Sequence, residues 1–381
     1  MGSVRNAAVA LLLFGAACAG RAEVPADTLK VETLATPHGA HWVYLMDVSF
    51  PHLSEGKIVV VDADRREVLG MMTTGFLAGL APAPDRKELY VTETFYSRGV
   101  RGERTDVVTI YDPAELKPVG EVVIPPKRFI ALTMPYGTVV TRDGRFLLQY
   151  NFTPATSVSV VDLKSRRFVG EIDAPGCTLI YPGAGNRSYS MICSDGRLLT
   201  HTLDDEGRLA SQRMSEQPFF DPDKDSLNVA PARLGDTLYF VSFLGQVHPL
   251  DVSGQEPAAA PTWSLLKAAD RRQAWRPGGW QYVAANEKLG RLYVIMHPNG
   301  RNGTHKDPGG EIWVYDLKTK ARIQRIRTKT PVVSVLTSRD DAPLLYALGA
   351  EGSLHVYDAR RGRYRGTVAG AAETAMVMVN P

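Results

Sequence analysis

The chain has 381 residues, of which 44% are apolar and 22% charged, with a formal net charge of +3. That length exceeds a typical single domain, but repetitive β-architectures reach it as one unit. Charges of both signs are interspersed and the longest basic clusters are pairs (Arg65-Arg66, Arg271-Arg272, Arg360-Arg361), which argues against a nucleic-acid-binding face.

Arg5, the apolar run from Ala7 to Ala17 and the small residues after it are the three parts of a secretory leader. The run is too short to cross a bilayer, which takes roughly twenty residues. Cleavage fits after Ala19 or after Ala22, giving a leader over residues 1–22 and a mature single domain over 23–381. Lipid attachment at Cys18 is the alternative, but Gly15 stands where a lipoprotein leader carries a branched apolar residue. Later apolar runs have strand length only, so no membrane span is expected.

From Trp42 onward one pattern recurs: an apolar strand, a connection, and a strand ending V-x-V-x-D. Clear copies end at Asp62, Asp112, Asp162, Asp316 and Asp358, and weaker ones at Asp204 and Asp251. Their upstream partners start at Trp42, Glu88, Arg145, Ser188, Thr237, Arg291 and Leu344. Seven strand pairs, with the clear Asp positions recurring at about 50 residues, predict an all-β, seven-bladed β-propeller of four-stranded antiparallel blades. Six or eight blades stay open, because the copies ending at Asp204 and Asp251 are weak. The recurring Asp is expected to cap a turn by accepting backbone N–H groups. A short helix is predicted from Ser264 to Trp275, with Ser264 as its N-cap. Gln255 to Thr262, rich in Pro and Ala, reads as a loop within the sheet system. Trp280, after Gly278-Gly279, is expected to pack where backbones approach closely.

Without the leader, two cysteines remain, Cys177 and Cys193. An even number in an exported chain points to a disulfide, with two buried thiols as the alternative. Neither has a neighbour that makes a zinc site. The eight histidines are scattered, and no pair has helical metal-ligand spacing, so no metal site is expected. His38 and His41 read as surface or interface residues. A nucleophile elbow, a phosphate-binding loop and a haem-attachment motif are all absent. The mature chain carries no complete catalytic set.

Two long loops stand out, Thr94 to Asp106 and Met296 to Gly310. Each joins partner strands that a short hairpin would connect, and loops longer than folding requires often serve a partner or ligand. Aromatic and Arg side chains anchor interfaces. The interface candidates are therefore Phe95, Tyr96, Arg98, Arg101 and Arg104 in the first loop and His305 in the second. Arg98, Arg101, Arg104 and Asp106 also suit hydrogen bonds that lock the loop.

Several segments, spread in order over most of the mature chain, resemble the heavy subunit of the quinoprotein amine dehydrogenases. They are MDVSFPHLSEGKIVVVD, SRGVRGERTD, TPATSVSVVD, WSLL, WRPGGWQ and MHPNGRNGTHKDPGGEIWVYDLKTKAR. The THK-containing loop, the PATS segment and the cysteine pair look more like the aromatic (aralkyl) amine branch than the methylamine branch. SRGVRGERTD and WRPGGWQ are similar to the methylamine form.

The resemblance implies a cofactor-free heavy chain. A small, cysteine-rich light chain would carry tryptophan tryptophylquinone, in a periplasmic α2β2 heterotetramer. The assembly would oxidise a primary amine to an aldehyde and ammonia. Electrons would pass to a small azurin- or amicyanin-like copper protein. Phe50, near the end of the first strand, matches the aromatic that lines the family's substrate channel; a hydrophobic plug in the first blade is its other reading. The rival functions for the repeat alone are a stand-alone lactonase or hydrolase and a non-enzymatic binding propeller.

Overall fold

The computed structural model describes residues 32–185 and 187–381. The expected leader, both cleavage points and Cys18 lie outside the described residues. Leu34–Pro381 form one compact unit, an all-β propeller whose strands pair antiparallel throughout its sheets. Sheet 1 holds Trp42–Asp47, Gly56–Asp62 and Glu67–Thr74, with Ala375–Val379 as its inner strand. The chain thereby closes on itself: Leu45 lies opposite Met378 and Asp47 opposite Ala375.

Sheet 2 runs through Phe76–Pro82, Leu89–Tyr96, Arg104–Asp112 and Lys117–Ile124. Sheet 3 takes Thr138–Val140, Phe146–Asn151, Ser157–Asp162 and Arg167–Asp173. Sheet 4 takes Cys177–Pro182, Ser188–Cys193, Leu198–Leu203 and Leu209–Met214. In sheet 5, Ala232–Leu234, Thr237–Val241 and Gln246–Asp251 are edged by Ala258–Ala259 and Trp263–Ser264. Sheet 6 extends from Arg276–Pro277 and Val283–Asn286 to Tyr364–Val368.

The expectation of seven separate four-stranded sheets needs correction. Hydrogen bonding gives five blade-sized sheets and one of eight strands. The merger has a local cause: Arg322–Thr337 is a continuous 16-residue strand that pairs with Gly309–Asp316 at one end and Leu344–Gly349 at the other.

The middle strands are buried on both faces, which is why they read as near-continuous apolar runs. Period-two alternation sends successive side chains to opposite neighbours. Val43 and Leu45 pack with Leu344, Tyr346 and Val356 of sheet 6. Tyr44 and Met46, between them in the chain, pack with Leu80, Leu89 and Val91 of sheet 2. Outer strands are different: Glu67–Thr74 buries only Met72 and Thr74, and Leu209–Met214 is exposed throughout.

All seven recurring Asp residues accept backbone N–H groups in the turn that follows them. Asp62 takes Asp64 and Arg65, Asp112 takes Ala114 and Glu115, and Asp204 takes Glu206 and Arg208. Asp162, Asp251, Asp316 and Asp358 do the same for Ser165, Ser253, Thr319 and Arg361. They are turn formers. The weak copies ending at Asp204 and Asp251 are therefore genuine repeats.

Cys177 and Cys193 lie directly opposite one another on adjacent strands of sheet 4 and form a disulfide. The expected helix is shorter than predicted, spanning Ala268–Arg272, and it starts after Lys267. Ser264 is not its N-cap: that residue pairs with Gln246 at the sheet edge, and its hydroxyl accepts Leu266 N–H in a local turn. Burial of Leu265 and Leu266 in the core holds this stretch out of the helix.

The histidine readings are also corrected. His38 is buried, bonded to the Tyr44 hydroxyl and the Pro113 carbonyl. His41 is half-buried and bridges Asp64 and Asp340. Trp280 packs as expected: Gly279 has φ +115°, and a Cβ there would stand 2.5 Å from the Val333 carbonyl oxygen. Only glycine lets the two backbones come this close.

Candidate functional site

Every second strand runs antiparallel to its inner neighbour, so the connections from second to third strand all leave one end of the ring. Four of these connections, or the strand ends leading into them, carry exposed apolar side chains: Phe50, then Phe95 and Val100, then Phe152, then Leu244. All five are 41–66% exposed, where most large apolar residues of the chain are buried. They come from sheets 1, 2, 3 and 5. The other exposed large apolar residues among those described lie on outer strands, and an apolar rim apart from them is a candidate interaction surface.

The loop that presents Phe50 is held firmly. The Asp47 carboxylate accepts Ser49 N–H at 2.9 Å, Glu373 N–H at 2.7 Å and Thr374 N–H at 3.0 Å. Phe50 N–H itself donates to the Thr374 hydroxyl at 2.9 Å. With its ring 46% exposed, Phe50 does not plug the first sheet.

The first long loop is mostly strand. Leu89–Tyr96 and Arg104–Asp112 pair through Tyr96 opposite Arg104, leaving only 97–103 as the tip of a projecting hairpin. The tip is closed by Ser97 N–H to Glu103 and Arg98 N–H to Arg101. Arg98 and Arg101 are exposed. Tyr96 sits edge-on to Phe76. Arg104 is already engaged: it grips Asp106 with two bonds, at 2.8 and 2.7 Å, and donates to the Arg128 carbonyl.

Arg128, absent from the sequence reading, is the centre of this lock. Its side chain is buried and donates to the Phe76 and Leu77 carbonyls and the Thr94 hydroxyl, while its own N–H donates to Asp106. Burial pushes its pKa down to about 10, against the pull of Asp106. Nearby, burial raises the Glu93 pKa, although Thr109 and Gly75 donate to its carboxylate. These groups fix the hairpin and make no open site.

The second long loop is a true loop over 298–308, with a 3-10 turn at Thr304–Lys306. His305 stands edge-on to Phe243 of sheet 5 at 6.5 Å. Lys306 lays its ammonium on the Trp280 ring, 3.5 Å from the centroid, and burial lowers its pKa. Together with Met134, Asn228 and Tyr282 they line a pocket of about 340 Å³ at the axis.

Trp275 and Trp313 pack with ring centres 5.0 Å apart, but both are buried, with Arg325 facing the two rings. They present no indole edge to a substrate, so this pair does not fit the role of a quinone precursor. Among the described residues no group of His, Cys, Asp or Glu suits a metal ion. No described helix is long and apolar enough to cross a membrane.

Residues 39–380 match the family model for the methylamine dehydrogenase heavy chain. The chain is 31% identical over 350 residues to the methylamine dehydrogenase heavy chain of Methylorubrum extorquens, covering 91% of this chain and 82% of that one. It is 29% identical over 345 residues to the corresponding protein of Methylobacillus flagellatus, covering 90% and 85%. Both relatives carry the methylamine name, and they lend no support to the aromatic-amine branch. Among solved structures, the periplasmic gluconolactonase of Pseudomonas aeruginosa shares the fold (TM-score 0.58, 15% identity, 89% of this chain and 100% of that one).

Proposed function

Because the chain belongs to the methylamine dehydrogenase heavy-chain family, we propose that it is the cofactor-free heavy subunit of a periplasmic amine dehydrogenase. The observation that carries the reading is the apolar rim of Phe50, Phe95, Val100, Phe152 and Leu244, a docking face for the cysteine-rich light chain. Tyr96, Arg98, Arg101 and His305 stand on the same end and would contribute polar contacts around it. The assembly would be α2β2.

In the proposed reaction a primary amine and water become an aldehyde, ammonia, two protons and two electrons. The light chain's tryptophan tryptophylquinone supplies the electron acceptor when it is present, and a small blue copper protein takes the electrons onward. This chain's share is to position the light chain, exclude water from the joint and wall the substrate entrance with Phe50. Water exclusion strengthens every electrostatic interaction inside such a joint. The axial pocket beside Lys306 is a poor amine site, since a substrate ammonium would meet a like charge.

An aromatic amine as substrate is the finer proposal. It is supported by the resemblance of the THK loop, the PATS segment and the cysteine pair. The gluconolactonase likeness, at 15% identity, carries the fold only. A seven-blade count is supported by the seven capping Asp residues. It is supported too by the long strand Arg322–Thr337, whose first part, Arg322–Arg327, pairs with Gly309–Asp316 and whose last part, Ser334–Thr337, pairs with Leu344–Gly349, with Val332 paired on both sides, so sheet 6 divides there into two blades.

The test is expression with and without a cysteine-rich light chain. We expect amine-dependent dye reduction and the visible spectrum of a quinone only in the co-purified complex. Amine oxidation by this chain alone, or failure to bind a light chain, would refute the reading.

A further inference from the structure

The other end of the ring holds a larger cavity, of about 640 Å³, where the inner strands finish. That volume suits a small molecule. Its deep wall is apolar, formed by Met46, Leu80, Val283 and Val377, and its mouth is basic, formed by Arg142, Arg233 and Arg339. Phe50 and the docking rim lie at the opposite ends of the same inner strands, so this cavity stays clear of the face proposed for the light chain.

The basic mouth is not a by-product of the turns. Arg142 and Arg339 each precede the Asp of a turn between an inner and a second strand. Those turns are made by the carboxylates: Asp143 accepts Arg145 N–H at 3.1 Å and Asp340 accepts Ala342 N–H at 2.9 Å. The guanidiniums take no part in these turns.

Arg142 finds Asp236 and the Ala184 carbonyl, and Arg233 finds the Pro182 and Gly235 carbonyls and lies 3.6 Å from the same Asp236. Arg339 makes no side-chain hydrogen bond or ion pair among the described residues. The nearby carboxylates are taken, Asp340 by His41 and Asp341 by Lys288. Glu287 is the one acidic residue in the described lining. Burial and the neighbouring Arg86 hold the Arg339 pKa below its usual value. Tyr136 sits within electrostatic reach of both Arg233 and Arg339. Arg142 and Arg233 share one carboxylate, Asp236, and Arg339 has none, so the mouth carries more positive charge than its carboxylates balance and calls for an external anion.

We propose that this cavity binds a small carboxylate with an apolar body, its head on Arg339 and Arg233 and its chain along Met46, Leu80 and Val283. Guanidinium forks match a carboxylate in shape and charge, and the apolar wall rewards a hydrocarbon tail.

Calorimetric titration of the full chain tests this with hexanoate, its neutral counterpart hexanamide, and inorganic phosphate. Saturable binding of hexanoate, with hexanamide and phosphate much weaker, is the expected result. Arg339→Gln should weaken hexanoate by about tenfold, the worth of one charge-assisted bond, and Arg339→Lys should restore part of the loss. Arg233→Gln serves the same purpose if the first variant does not fold. Lys306→Gln, in the opposite pocket, should leave binding unchanged. Equal binding of hexanoate and hexanamide, phosphate binding as tightly as hexanoate, no saturable binding, or a loss produced by Lys306→Gln instead would each overturn the assignment.

Discussion

Asp106 receives both arms of the Arg104 guanidinium, at 2.8 and 2.7 Å, while having no exposure to solvent of its own. The same carboxylate accepts the Arg128 N–H at 2.9 Å. Removing it by Asp106→Ala leaves Arg128 buried and without its balancing charge. The expected cost is about 3–5 kcal/mol, typical of breaking a buried pair from one side. Arg104→Ala should cost less, because Arg104 is partly exposed and Asp106 keeps its bonds to Thr94 and Arg128. Urea unfolding of the two variants checks the order; equal losses would mean that Arg128 does not depend on Asp106.

The Arg128 lock was not legible in the sequence, for a physical reason. Its acceptors, the Phe76 and Leu77 carbonyls, lie 52 and 51 residues away in the chain, and no local pattern marks an Arg whose partners are that remote. The middle strands were legible because burial on both faces demands apolar runs, and the capping Asp follows them at fixed spacing. Inner and outer strands were not. Thr138–Val140 is only three residues long, and Leu209–Met214 buries nothing, so neither leaves a hydrophobic pattern. The candidate face was legible in part. Phe95 and His305 stood out as residues in overlong connections and Phe50 through the family resemblance, whereas Phe152 and Leu244 sit in ordinary short connections. Only the common direction of the second strands brings all of these to one end.

The disulfide of sheet 4 joins Cys177 to Cys193, 16 positions apart in the chain. In the chain-entropy account a loop of this size is worth about 3 kcal/mol. Cys177→Ser with Cys193→Ser should lower stability by that order and leave the fold intact, because the neighbouring strands already bury Tyr181, Tyr189 and Met191. Thermal melts with and without reductant provide the check. The double variant should be insensitive to reductant, while the parent should move toward it.

Phe50 carries the specificity prediction, which rests on the proposed function. Its loop is tied down by Asp47 and Thr374, so truncating the ring should not collapse the rim. Phe50→Ala should change the ratio of kcat/KM for phenylethylamine over methylamine by about tenfold, within the range that apolar pocket contacts supply. Gel filtration of the assembled enzyme should show the same size as the parent. An unchanged ratio would remove Phe50 from the substrate entrance.

His41 gives the last prediction, a pH dependence. It joins Asp64 of sheet 1 at 2.7 Å to Asp340 of sheet 6 at 3.1 Å, across the closure of the ring. Burial works against its proton, but Asp64 and then Asp340 outweigh that, so its pKa lies above the ordinary histidine value. A group whose pKa is raised by folding stabilises the fold fully below its unfolded pKa, near 6.5 for His. That contribution disappears as pH rises through the folded value. His41→Gln should therefore cost more stability at about pH 5.5 than at about pH 8.5, as the His41 proton is lost with rising pH. Urea unfolding of parent and variant at the two pH values measures it. A loss that is the same at both, or larger at the higher pH, would show that the bridge holds through hydrogen bonds alone and that the charge on His41 contributes nothing to closing the ring.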